Sequence, residues 1–240
     1  MKFLSSFLIG SLLISTLVYA RTHHKPVKQL RVAVIDSGLD LNDYRLTDHL
    51  CNTGHKDFSG EGLVDLNGHG TTIAGLIEEY AGDGNYCLVI YKYLSSTTSD
   101  YYNQKNEVAA IAEAVKNNFK LVNISSGGPG FDEKEYDLIR LHPKTVFVVA
   151  AGNNGRNLNR DCYYFPACYL AENEQVIGNL SRDGLTLSPS SNYGRALTAS
   201  EIGENVPSML PGDRTGRTSG TSMATAIHMG KLIREMLDAK

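Results

Sequence analysis

Ser222, His69, Asp36 and Asn153 place a hydroxyl, an imidazole, a carboxylate and an amide in four short segments rich in small residues. Thr218-Ser219-Gly220-Thr221-Ser222-Met223-Ala224 approaches a helix, and Asn67-Gly68-His69-Gly70-Thr71 brackets the imidazole with glycines that let another backbone come close. Asp36-Ser37-Gly38 and Ala150-Ala151-Gly152-Asn153-Asn154-Gly155 each end an apolar run. Taken singly, each has an ordinary reading: Asp36 and Asn153 as turn residues, His69 as a structural side chain, Ser222 as a helix cap. Taken together they match one demanding chemistry. Amide hydrolysis needs a nucleophile, a base to take its proton, an acid to orient that base, and donors aimed at the oxyanion.

The elements that must hold these groups alternate. Residues 31–35 form a β-branched run that reads as a strand, and residues 69–80 read as a helix. A strand follows at 88–94. Val108, Ile111, Ala112 and Val115 then mark an amphipathic helix. Residues 121–126 and 145–151 read as strands on either side of a helix at 132–141. Weaker strand signals lie at 175–179 and 196–199, and a last helix runs from about 220. Strands alternating with helices predict an α/β fold, a mostly parallel β-sheet with helices on both faces. Ligands of such folds bind at the carboxyl ends of the strands, where all four segments fall.

Composition is that of an ordinary globular protein, with 42% hydrophobic and 20% charged residues. The formal net charge of −3 gives no basic footprint for nucleic acid. Lys2, the apolar run 3–18 and Val18-Tyr19-Ala20 read as a secretory signal peptide over residues 1–20, against the alternative of an uncleaved anchor. A mature chain that is secreted or periplasmic, with no membrane contact after removal of the signal, is the expectation. Residues 21–30 then form a short N-terminal segment ahead of one domain at 31–240. Cys51, Cys87, Cys162 and Cys168 are an even set, so two disulfides with three open connectivities are expected in an oxidising compartment. The closeness of Cys162 and Cys168 favours that pair, and by remainder Cys51–Cys87. A zinc site lacks both a C-x-x-C pair and a histidine at ligand spacing.

VAVIDSGLD, NGHGTTIAG, NISSGGPG, VVAAGNNG and SGTSMATA stand in the order of the signature segments of the subtilisin-like serine proteases, which the chain resembles over residues 32–230. The resemblance implies a subtilisin-like three-layer fold and a polypeptide substrate. It implies Ser222 as nucleophile, His69 as general base and then acid, and Asp36 as the group that fixes the imidazole. Asn153 would supply the oxyanion donor together with the Ser222 N–H. The backbone of Ser125, Ser126 and Gly127 would receive an extended substrate.

The chain departs from that family pattern at several points. Thr72 stands where the family usually has histidine, and Ala226 where it usually has proline. Arg45 stands where many relatives have an acidic calcium ligand, and the loop at 80–86 is short. No catalytic cofactor is required, and the usual structural calcium is expected to be missing, its region braced by Cys51–Cys87. The segment 21–30 leaves no room for a long propeptide, so the expectation is unaided folding or a separate folding or inhibitor chain. Tyr164, before Phe165-Pro166, is expected to restrict the primary specificity pocket to small side chains. Tyr101 and Tyr102 fit a surface loop better than a cleft wall. An α/β-hydrolase esterase fails on order, because that fold needs its acid and then its histidine after the nucleophile, and only His228 follows Ser222. An inactive peptide-binding module has no evident need for all four groups.

Overall fold

The run LRVAVID at Leu30–Asp36 is buried at every position but one, so it needs cover on both faces. It is β1 of a computed structural model that describes residues 29–46 and 48–239. The expected signal peptide and residues 21–28 lie outside the described residues. After β1 come a 3-10 turn at Tyr44–Leu46, β2 (Lys56–Asp57), α1 (His69–Ala81), β3 (Tyr86–Lys92), α2 (Asp100–Lys116) and β4 (Leu121–Ile124). The chain continues through α3 (Glu133–Arg140), β5 (Val146–Ala150), β6 (Glu174–Leu180) and β7 (Ala199–Ile202). It closes with β8 (Val206–Leu210), β9 (Arg214–Thr218) and α4 (Thr221–Asp238).

Seven strands form one sheet in the order β2-β3-β1-β4-β5-β6-β7, and every pairing in it is parallel. Successive side chains of a strand point to opposite faces, and here each face has its own core. Val32, Val34, Leu88 and Ile90 pack with Ile73, Leu76 and Ile77 of α1 and with Ile227 and Ile233 of α4. Ala33, Ile35, Val89 and Tyr91 pack with Ala110, Ile111 and Ala114 of α2 and with Ile139 of α3. The expected sheet covered on both faces is therefore what the chain forms.

β1 has β3 on one side and β4 on the other, so the strand order reverses at β1. The crevice beyond the carboxyl ends of β1 and β4 is where such a sheet accepts a ligand. β4 stops at Ile124, two residues short of the expected strand, which frees Ser125 and Ser126 from the ladder. β3 starts earlier than expected and β7 later. The antiparallel β8–β9 hairpin was not foreseen: its second strand, RTGRT, carries no apolar alternation. Cys51–Cys87 and Cys162–Cys168 are both bonded, the first tying the segment before β2 to β3. Among the described residues no helix is long and apolar enough to cross a membrane.

Candidate active site

Asp36 is the last residue of β1 and His69 the first of α1. His69 Nδ1 lies 2.8 Å from Asp36 Oδ1, and the same oxygen accepts the Ser37 N–H at 2.7 Å. Their approach depends on Gly70, because a Cβ there would stand 2.2 Å from the Gly38 carbonyl oxygen. The glycine after the histidine thus lets the start of α1 sit against the turn that follows Asp36.

Asp65, which the sequence reading passed over, holds this corner together. Its Oδ1 accepts from the Ser37 hydroxyl at 2.8 Å and the Gly68 N–H at 2.7 Å. Its Oδ2 accepts from the Thr71 N–H at 2.8 Å and hydroxyl at 2.7 Å. Ser37 Oγ in turn accepts the Gly70 N–H at 2.9 Å. Burial pushes the Asp65 carboxyl upward, but the bonds from Thr71, Gly68 and Ser37 prevail and hold its pKa below the ordinary value. The available signal was the turn-like Asp65-Leu66-Asn67-Gly68 ahead of a helix.

Burial alone would lower the His69 pKa, yet the Asp36 charge and hydrogen bond, helped by Asp65, raise it above the ordinary value. The side chain remains 28% exposed, so its outer edge faces the crevice.

Ser222 is the second residue of α4 and does not cap it; the cap position is Gly220. Its hydroxyl donates to the Ser125 carbonyl at 2.7 Å, and among the described residues it makes no hydrogen bond to the His69 ring. Met223, next in sequence, and His69 border one surface depression. Asn153 leaves β5 toward the same helix start, where its Oδ1 accepts the Thr221 N–H at 2.8 Å and hydroxyl at 3.1 Å. Its Nδ2 has no partner among the described residues. Thr221 is therefore a second positioning residue that the sequence did not reveal. Ser125, Ser126 and Gly127 follow β4, and the Gly127 N–H and carbonyl make no hydrogen bond among the described residues.

The departures noted in the sequence have local explanations. Thr72 donates to the Met209 carbonyl at 2.8 Å, and Ala226 is buried inside an uninterrupted α4. Arg45 donates to both carboxylate oxygens of Asp43. A guanidinium has no electron pair to offer a cation, so this corner does not fit the calcium ligand of many relatives.

A family model, the Subtilase family, matches residues 28–230. The chain belongs to the subtilase family. By that membership it is a subtilisin-like serine endopeptidase. It is 30% identical over 223 residues to the Major intracellular serine protease of Bacillus subtilis, covering 85% of this chain and 67% of that protein. It is 25% identical over 220 residues to Subtilisin-like protease 2 of Plasmodium falciparum, covering 82% of this chain but 16% of that much longer protein. Among solved structures, that of a lanthipeptide protease superposes with a TM-score of 0.75 at 22% identity, over 88% of this chain and 73% of that one.

Proposed function

We propose that this chain is exported and hydrolyses peptide bonds of polypeptide substrates through Ser222, His69 and Asp36. The observation that carries the reading is the 2.8 Å hydrogen bond between His69 Nδ1 and Asp36, beside the α4 start that bears Ser222. That bond fixes the tautomer with Nε2 free to accept a proton. On substrate arrival the Ser222 hydroxyl turns from the Ser125 carbonyl to His69, gives up its proton and attacks the scissile carbonyl carbon. Negative charge then develops at the N-terminus of α4, where the helix dipole favours it. The Asn153 Nδ2 and the Ser222 N–H donate to the oxyanion. His69 next protonates the leaving amine, and water enters by the same route in reverse to release the acyl group.

The unpaired Gly127 backbone offers an extended substrate an edge for strand addition beside Ser125 and Ser126. Tyr164 supports a narrow primary pocket: a Cβ on Gly127 would lie 2.6 Å from its ring, and one on Gly152 3.0 Å. The ring thus fills the space between the two backbones that border the cut. A cleavage profile dominated by small residues before the cut is expected, and one dominated by large aromatic residues would overturn this. The Arg45–Asp43 pair supports folding without the usual calcium, tested by equal melting temperatures in calcium and in EDTA.

The deciding experiment is fluorophosphonate labelling of the purified protein beside a Ser222→Ala control, followed by casein digestion. Labelling confined to the unaltered protein supports the reading. A folded protein that neither labels nor digests casein would favour a peptide-binding module instead.

A further inference from the structure

A cavity of about 430 Å³ opens beside the Ser125–Gly127 segment. Gly127 to Gly130 and Phe165 form one wall, Tyr101 stands on the rim, and Glu107 of α2 and Glu135 of α3 line the interior. Both glutamates are deeply buried, with 7% and 2% of their surface exposed. Glu107 Oε1 accepts from the Ser126 hydroxyl at 3.2 Å, and Glu135 Oε2 accepts from the Tyr169 hydroxyl at 3.0 Å. Glu135 Oε1 is buried with no hydrogen-bond partner, and the second oxygen of Glu107 receives no donor among the described residues.

Neither carboxyl forms an ion pair among the described residues, and Lys105 Nζ sits 4.3 Å from the ring centroid of the rim residue Tyr101. Two buried carboxyls with spare acceptor capacity and no cation are costly unless something completes them. Burial raises both above the ordinary value, Glu135 to about 7, so each keeps its proton to higher pH than an exposed carboxyl would. Lys and Arg side chains are the natural complement, since they carry only donors and form short, strong bonds to carboxylates.

The cavity is also at a usable distance from the chemistry. An extended chain advances about 3.3 Å per residue, and Gly127 and Gly128 lie two and three residues past Ser125, whose carbonyl contacts Ser222 Oγ. A substrate strand laid along this edge brings a side chain over the mouth about two to four residues from the bond to be cut. We propose that the Glu107–Glu135 cavity is a specificity pocket that receives a lysine or arginine side chain of the substrate at that distance from the cleavage point. The pocket deepens the proteolytic reading and rests on it.

Profiling the full chain on a peptide library, with cleavage sites read by mass spectrometry, tests the assignment. Lysine or arginine should be enriched at one position about two to four residues from the cut. In matched peptides, replacing that residue by norleucine should lower kcat/KM roughly ten- to hundredfold. The Glu107→Gln and Glu135→Gln variants, isosteres of the protonated acids, should each shrink this ratio while fluorophosphonate labelling stays at the level of the unaltered protein. As a measurement that needs no variant, n-butylguanidinium should inhibit cleavage of the lysine peptide and spare the norleucine peptide. Cleavage without basic enrichment, or enrichment that persists in both variants and resists butylguanidinium, overturns the pocket and leaves proteolysis standing. A folded protein that neither labels nor cleaves overturns both.

Discussion

Ser222 and Ser125 exchange hydrogen bonds across 97 residues of sequence: the Ser222 hydroxyl donates to the Ser125 carbonyl at 2.7 Å, and the Ser125 hydroxyl donates to the Ser222 carbonyl at 3.1 Å. The Ser125 hydroxyl also accepts from Asn123 Nδ2 at 2.9 Å. Ser125→Ala removes one arm of the exchange and strands the buried Asn123 amide. It should destabilise the fold by about 1–2 kcal/mol, read from urea unfolding. Because the backbone carbonyl survives, kcat/KM should fall less than about tenfold, whereas Ser222→Ala should remove several orders of magnitude.

Thr221 grips the oxygen of the Asn153 amide and so aims its NH2 outward. Asn153→Ala should lower kcat by about 10²–10³ with little change in KM, the pattern of a donor used only in the transition state. Thr221→Val keeps the backbone bond and loses the hydroxyl, so its loss in kcat should be smaller. Equal losses in the two variants would contradict the positioning role of the Thr221 hydroxyl.

Asp65 accepts five hydrogen bonds beside the site. In Asp65→Asn one oxygen becomes an amide that must face a donor, either the Thr71 N–H or the Gly68 N–H. The expected cost is about 2–3 kcal/mol in unfolding, together with a drop in kcat as the His69 corner loosens. The native carboxyl, depressed in the fold, contributes stability that is intact above its unfolded pKa of about 3.9 and is lost as pH falls through the folded value. The variant should lack this acid-induced loss.

The buried carboxyls Glu78 and Glu174, raised by burial to about 8, act in the opposite direction. Above an unfolded pKa of about 4.3 the unfolded chain releases these protons and the folded chain keeps them. Each therefore subtracts up to about 1.4 kcal/mol per pH unit until its folded pKa is reached. His69, whose pKa is also raised, loses its contribution over the upper part of the same range. The urea midpoint should be higher at pH 5 than at pH 8, and Glu174→Gln should flatten the difference.

Cys51–Cys87 closes a loop with a sequence separation of 36 residues, Cys162–Cys168 one with a separation of 6. On chain-entropy grounds, replacing the first pair by serine should cost about 3–4 kcal/mol and the second about 2 kcal/mol. Thermal melts of the two variants under identical buffer conditions would rank them.

The sheet and the four site segments were legible because buried parallel strands read as unbroken apolar runs, as RVAVI and TVFVVAA do, and each run stops at a polar turn. The β8–β9 hairpin escaped because Arg214–Thr218 is a polar, largely exposed ribbon whose partner, not its composition, makes it a strand. Asp65 and Glu107 were illegible for another reason. An aspartate in a turn and a glutamate in an amphipathic helix look solvent-facing, and only the packing of distant segments buries them. Tyr101, read as a surface residue, is exposed and also stands on the rim of the acidic cavity.

α4 is the last of the described elements to be synthesised, yet it packs against α1 and supplies Ser222. Loop closure must be met before contacts between segments so far apart in the chain stabilise anything. His69 and Asp36 both precede α4 in the chain, and the proposed nucleophile Ser222 lies within it. On the proposed mechanism, the docking of α4 against α1 is what would bring the nucleophile to the imidazole, so a chain lacking α4 would be unable to cut.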